Sequence, residues 1–329
     1  MKSTYDKRHT QARLSVGFIL ANQFTLNAFS NFIDVLRLSA DDIDGSQPIL
    51  CHWKVISTSM DLITSSAGIP VKPDETLGDP ARFDYIAVVG GLLGKKNNLD
   101  NRYVDFLHQA AKAGVPLIGV CTGGFILHRA GLMSGRKCCV GWLHRDDFLE
   151  EFDDLEIITD QIFIVDGDRL TCSGGVSAAH LAAYLVDKHV GVNEARKSLH
   201  IMIIDEVKSG SKPQPGIPLT LETSDDTVKH ALLLMQQNME SRVTISNIAK
   251  RLNISRRKLE RKFQQSLNMT PAQAEKTIRI ETAKHLMLTT HNSISEIAIQ
   301  TGFCDASHFI RVFRTKNGLT PDQYRNASV

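Results

Sequence analysis

The sequence predicts two domains of different class: an α/β domain built on a parallel sheet at the amino end, and an all-α domain with two helix-turn-helix units at the carboxyl end. Three observations carry this. One apolar pattern is written twice between Thr244 and Pro321. From Arg13 to about Gly191, apolar strand-like runs alternate with helical runs, as in a parallel sheet covered on both faces. Charge also divides unevenly. Leu221 to Val329 holds 16 Lys and Arg against 10 Asp and Glu, a net of +6; the preceding part holds 22 against 26, a net of −4, and the overall +2 hides the difference.

In chain order, residues 1–12 are polar and charged and read as a flexible terminus. Val16–Leu20 is too short for a signal-peptide core or a membrane span. Leu14–Leu20 reads as a strand and Phe24–Ala40 as a helix with Phe29, Phe32, Ile33, Leu36 and Ala40 on one face. Trp53–Ser57, Tyr85–Val89 and Val115–Val120 read as strands, Arg102–Ala113 and Glu194–Val207 as helices. The α/β domain is placed at 13–208. A Pro/Gly/Ser-rich linker without periodicity follows at 209–223, and the helical domain at 224–329, its first helix running from Val228 to Met239. The six cysteines show no metal-ligand spacing, and adjacent Cys138–Cys139 suits neither zinc nor an easy disulfide. The expectation is a reducing cytoplasm, no metal, no cofactor and no membrane.

The duplicated pattern gives the function class. Thr244 and Ser293 are N-cap residue types before Ile245, Ile248, Ala249 and before Ile294, Ile297, Ala298. Asn253 and Gly302 suit the left-handed backbone that ends a helix. Leu259 and Phe263, and then Phe309 and Phe313, face inward in the second helix of each copy. The outer faces are left with Arg256, Arg257, Lys258, Arg261 and Lys262 in the first copy, and Ser307, His308, Arg311 and Arg314 in the second. Positive charge on paired second helices fits phosphate-backbone binding. All of these except Lys262 are taken as DNA-contact residues. Residues Thr227–Arg325, above all the run from Ile297 to Arg325, resemble the AraC/XylS-type DNA-binding domain. Here His308 stands where Tyr is common, and Asn253 and Asn268 where Gly is common. The resemblance implies seven helices, with the helix at about 271–288 setting both units on successive major grooves of one operator.

In the α/β domain one strand end stands out. The apolar run Pro116–Val120 leads straight into Cys121-Thr122-Gly123-Gly124 and a helix, the strand, sharp turn and helix of a nucleophile elbow. With Asp84–Gly91 and Leu170–Val186 it makes residues 13–190 similar to the class I glutamine-amidotransferase-like, flavodoxin-like fold of the PfpI type. Active members of that family pair the elbow Cys with a His about 20 residues on. That position is Gly141 in this sequence, and His144 lies one helical turn further. The elbow therefore reads as a vestigial catalytic site kept for binding. The order of domains, with the segment Asn22–Asp42, resembles AraC-family regulators with an amidotransferase-like sensor domain. It implies an activator of a catabolic operon, a small nitrogenous effector such as a betaine, carnitine or an amino acid, a homodimer, and RNA polymerase as partner. Cys121, Thr122 and Gly123 are the expected seat of an effector carboxylate, with Asp34, Trp53 and Trp142 as candidates for its cationic end. Two alternatives stay open: a Cys-dependent amidase, and a thiol redox sensor, each fused to a DNA-binding domain.

Overall fold

In the computed structural model the described residues are 12–42, 45–93, 100–152, 157–214, 221–239, 243–290 and 292–327. The expected terminus up to residue 11, and residues 215–220 of the expected linker, lie outside them. The chain divides into two compact units, which meet between Lys212 and Pro213.

The first unit contains strands β1 (Leu14–Leu20), β2 (Cys51–Ser57), β3 (Ile63–Thr64), β4 (Pro70–Val71), β5 (Glu75–Thr76), β6 (Tyr85–Val89), β7 (Leu117–Val120), β8 (Cys138–Cys139), β9 (Ile157–Ile158), β10 (Phe163–Asp166) and β11 (Arg169–Cys172). Its helices are α1 (Leu26–Leu38), α2 (Asn101–Lys112), α3 (Gly123–Arg129), α4 (Arg145–Glu151), α5 (Ser177–His189) and α6 (Val192–Ile201). Seven strands form one sheet in the order β10-β11-β7-β6-β1-β2-β5, parallel except for the β10–β11 pair. One face packs on α1, α5 and α6, with Phe18, Phe32 and Leu36 fully buried; the other packs on α2, α3 and α4, through Phe106, Phe125 and Phe148. The near-continuous apolar strands follow from burial on both faces.

The chain order reverses in the sheet between β1 and β6, where ligands bind in open α/β folds. The ends of β1, β6 and β7 are bound to one another there. Ala21 N–H donates to Val89 O (3.0 Å), Gly90 N–H to Val120 O (3.1 Å) and Thr25 N–H to Gly90 O (2.9 Å).

Two boundaries differ from the sequence reading. Helix α6 stops at Ile201, not Val207: Ile203 takes a left-handed φ of 58°, and the N–H groups of Ile203 and Ile204 turn back to His200 O (3.0 Å) and Leu199 O (2.9 Å), which closes the helix end. The first linker residues are not free. Ile162 N–H donates to Gly210 O (3.1 Å) and Lys212 O (3.0 Å), and Lys208 N–H donates to Nδ1 of buried His180 (3.3 Å). Residues 208–212 form a strap lying against the sheet edge.

The second unit holds α7 (Asp226–Gln237), α8 (Ile245–Arg251), α9 (Arg256–Leu267), α10 (Pro271–Thr289), α11 (Ile294–Gln300), α12 (Ala306–Asn317) and α13 (Pro321–Ala327). It has two apolar cores. One joins α7, α8 and α9 to Ala274 and Ile278 of α10. The other joins α11 and α12 to Ile280, Ala283 and Met287 of the same helix.

Candidate functional site

The two units each present a site. In the helical unit the helix starts are built as expected. Thr244 accepts from Asn247 N–H (3.2 Å), Ser255 from Lys258 N–H (3.2 Å) and Asp305 from His308 N–H (2.6 Å), while Ser293 and Glu296 form a capping box. Asn253 and Gly302 sit in the turns at φ 53° and 73°. Leu259, Phe263, Phe309 and Phe313 are fully buried, so the opposite faces of α9 and α12 are left to solvent.

On α9, Arg256, Arg257, Lys258 and Arg261 are exposed. Arg256 Nε is paired with Glu260 Oε1 at 2.8 Å. With Ser255 and Thr270, the four cations line a concavity of about 930 Å³. Lys262 departs from its expected place on the outer face: its Nζ turns back to Asp225 Oδ2 at the start of α7, at 2.5 Å. On α12, Ser307, Arg311 and Arg314 are exposed. His308 is half-buried and anchored, with Nδ1 3.2 Å from Cys304 Sγ and its ring edge-on to Phe303 at 5.6 Å. Only the rest of its imidazole is available to a partner.

In the α/β unit, Cys121 has a left-handed φ of 57°, a conformation that costs a residue with a Cβ about 1–2 kcal/mol. Its backbone N–H points at the Cys172 thiol, and its half-buried Sγ lies 3.5 Å from Thr25 Oγ1. Thr25 is the N-cap of α1, yet its hydroxyl does not cap that helix. Against the thiol lies Gly174, at φ 93°, where a Cβ would stand 2.9 Å from Cys121 Sγ. Thr122 Oγ1 is buried and donates to Gly91 O at 2.7 Å. A Cβ on Gly123 would stand 2.0 Å from Val88 O. Thr122 and Gly123 thus hold the turn against the neighbouring strand.

The structure brings some expected site residues together and not others. Gly141 abuts the elbow loop: a Cβ there would meet Ser173 O, beside Gly174, at 3.1 Å. Trp142 follows on a short 3₁₀ turn and is half-buried at this rim. His144 does not take the missing base's place. Its Nδ1 is 3.0 Å from Asp147 Oδ2, and its ring is edge-on to Phe125, in the core on the other face from Cys121. Asp34 is salt-bridged to Arg37 (3.0 Å) and lies nine residues along α1 from Thr25, roughly 13 Å at helical rise. Trp53 pairs with Val16, four residues before the end of β1, and packs on the α1-side core. At roughly 3.3 Å per residue it sits well below the carboxyl ends. Neither Asp34 nor Trp53 is placed with Cys121.

Sequence reasoning missed Thr25, Ser173 and Gly174, which meet Cys121 or its loop only through the tertiary fold. The remaining sheet thiols are unreactive by burial, which pushes Cys51 and Cys138 up to about 12, Cys172 to about 11, and Cys139 well above its ordinary value.

The DJ-1/PfpI family profile matches residues 15–188, and a helix-turn-helix domain profile matches residues 248–327. The HTH-type transcriptional regulator GbdR of Pseudomonas aeruginosa is 30% identical over 313 residues, covering 94% of this chain and 84% of that protein. The chain is an AraC-family transcriptional regulator with a DJ-1/PfpI-type amino-terminal domain. The regulator ArgR of Pseudomonas aeruginosa is 33% identical over 222 residues, 67% of each chain. An AraC-family regulator from Pseudomonas putida shares the fold over 57% of this chain and 99% of its own, at 24% identity and a TM-score of 0.50. The family's relatives across nearly the whole chain are named as regulators, and this regulator binds DNA rather than acting as an enzyme. No helix among the described residues is long and apolar enough to cross a membrane.

Proposed function

We propose that this regulator is an effector-dependent activator of a catabolic operon, and that its effector is a small nitrogenous metabolite such as a betaine, carnitine or an amino acid. The effector class comes from the family resemblance. Its seat is the elbow, where β1, β6 and β7 end around Cys121, Thr25 and the Ser173–Gly174 loop. The observation behind this is a strained, half-buried Cys121 whose contacts are a threonine hydroxyl and a glycine loop. With Gly141 in place of a histidine and His144 turned to Asp147, a thiol there meets no histidine base among the described residues, which favours binding over hydrolysis.

Hydrogen bonds lead from the elbow to the last residues of the first unit. Ser173, next to Gly174, donates its N–H (3.0 Å) and its Oγ–H (3.2 Å) to Ile162 O. The N–H of Ile162 holds the strap at Gly210 and Lys212, where the chain leaves for the helical unit. An effector pressing on Gly174 shifts Ile162, and with it the strap, provided it binds the two arrangements with different affinity. The working assembly is a homodimer on operator DNA that recruits RNA polymerase, in the cytoplasm.

A thermal-shift screen of wild type and Cys121→Ala against betaines, carnitine, amino acids and related amines tests this. A ligand at 100 times its Kd stabilises by about 2.7 kcal/mol. A hit that weakens in Cys121→Ala and in Gly174→Val places the effector at the elbow. A hit indifferent to both puts it elsewhere and overturns the assignment of this seat.

A further inference from the structure

The two cores of the helical unit share one helix, and the place where they divide is a charged residue. Ile278 belongs to the first core and Ile280 to the second. Between them Arg279 is 8% exposed. A guanidinium is an expensive group to bury unless every donor is used and its charge is met. Arg279 Nη2 donates to Glu275 Oε1 one turn back, at 2.7 Å. Nη1 donates to two backbone carbonyls from the two sides of the unit: Met239 O just beyond α7 (3.1 Å), and Thr301 O in the turn between α11 and α12 (2.8 Å). The fit is tight. A Cβ on Gly302 would stand 1.7 Å from Arg279 Nη1 and 2.1 Å from Met239 O, and the residue has a φ of 73°. Glycine there admits the guanidinium and lets the second turn lie against the end of α7.

We propose that Arg279 is the positioning residue that sets the distance and angle between the two DNA-reading helices, and so the spacing of operator subsites the regulator accepts. Apolar contacts on α10 hold each half to the helix, but they resist sliding and rotation weakly because they are non-directional. A planar fork bonded to one carbonyl from each half does resist it. One added base pair moves a subsite by about 3.4 Å and turns it by about 35° around the duplex. A domain with rigidly set heads rejects such a change, while a loosened one follows it. This inference rests on the reading that both heads contact DNA.

The test is in-vitro selection from a randomised duplex library, run with full-length wild type, Arg279→Met, Arg279→Lys and Gly302→Ala. Binding of the selected duplex is then measured with the gap between subsites changed by one and two base pairs. Wild type is expected to return two subsites at a single spacing and to lose at least about tenfold in affinity for a one-pair change. Arg279→Met is expected to return a spread of spacings and to lose less than about threefold for the same change, with affinity for an isolated subsite kept within about twofold. Gly302→Ala evicts the guanidinium with Arg279 still in the chain and is expected to behave alike. Arg279→Lys keeps the charge without the fork, and decides the matter should Arg279→Met fail to fold. An unchanged spacing preference in any folded Arg279 variant overturns the clamp. One subsite alone from wild type overturns the two-head reading, and the clamp with it.

Discussion

Helices α9 and α12 share a scaffold and differ in what they present. Helix α9 offers four exposed cations and starts on a neutral cap, Ser255. Helix α12 offers two exposed arginines, a short Ser307 and an anchored His308, and starts on Asp305. The His308 backbone N–H holds the Asp305 carboxyl below its usual range, so a fixed negative charge sits at the start of that helix. A phosphate is attracted to the first helix start and repelled from the second. The difference teaches that duplication of the fold need not duplicate the task. The first head suits gripping the backbone, and the second suits reading base edges with a few side chains of defined reach.

The largest break in this comparison comes from the cores. Phe263 and Phe309 are fully buried, one in each core, and truncating either to Ala is expected to cost about 3–5 kcal/mol. Because the cores are separate, amide exchange should show Phe309→Ala exposing α11 and α12 well before α7 and α9. Uniform loss of protection would mean a single cooperative core.

Next in size is a pH effect in the other unit, which bears on the strap and not on the heads. Burial, then the neighbouring Lys208 charge, lowers His180 from 6.5 to about 4. Between those values the unfolded chain holds a proton that the folded chain lacks, so stability falls as pH drops from about 6.5 to about 4, by about 3 kcal/mol in all. Protonated His180 also cannot accept from Lys208 N–H. Denaturant melts of wild type and His180→Gln over this range should diverge towards acid, with the variant the flatter. Parallel curves would remove His180 from the account.

Arg311→Ala and Arg257→Ala separate the two helices by what each contacts. The first is expected to relax sequence preference by about 1–3 kcal/mol at one base pair. The second should weaken all sequences alike and lower the salt slope by about 1. Binding of a base-substituted duplex series separates them, and swapped behaviour would reverse the division of roles. The smallest effect is at the caps. Ser255→Ala should cost about 1 kcal/mol of stability, and Asp305→Ala should also destabilise its helix start. In a gel shift at low salt, however, Asp305→Ala should bind non-specific DNA more tightly, because a charge that repels phosphate has gone.

Much of the fold was legible in the chain because its signals are local. Leu14–Leu20 and Tyr85–Val89 are strands to the residue, since runs of apolar residues buried on both faces have sharp ends. The heads were legible for the same reason, from caps, turn residues and helical spacing. What misled was an apolar run that crosses a left-handed turn, as at Ile203, and partners distant along the chain. Thr25 reaches Cys121 across 96 residues. Trp53 and Asp34 were grouped with the elbow by residue type alone, and register and helix rise part them from it. Arg279 left a trace, a cation between two isoleucines, but its carbonyl partners at Met239 and Thr301 belong to the tertiary fold.

The central claim is that both basic helices hold one DNA. Affinity for the selected duplex, followed against salt concentration, tests it most directly in wild type, Arg257→Ala, Arg311→Ala and the double variant. Each phosphate contact contributes about 0.9 to the slope of log affinity on log salt. The account predicts a weaker complex in each single variant, a shallower slope for Arg257→Ala, and losses that add in the double variant. A double variant no weaker than one of its parents would mean that only one head engages, and would contradict the account.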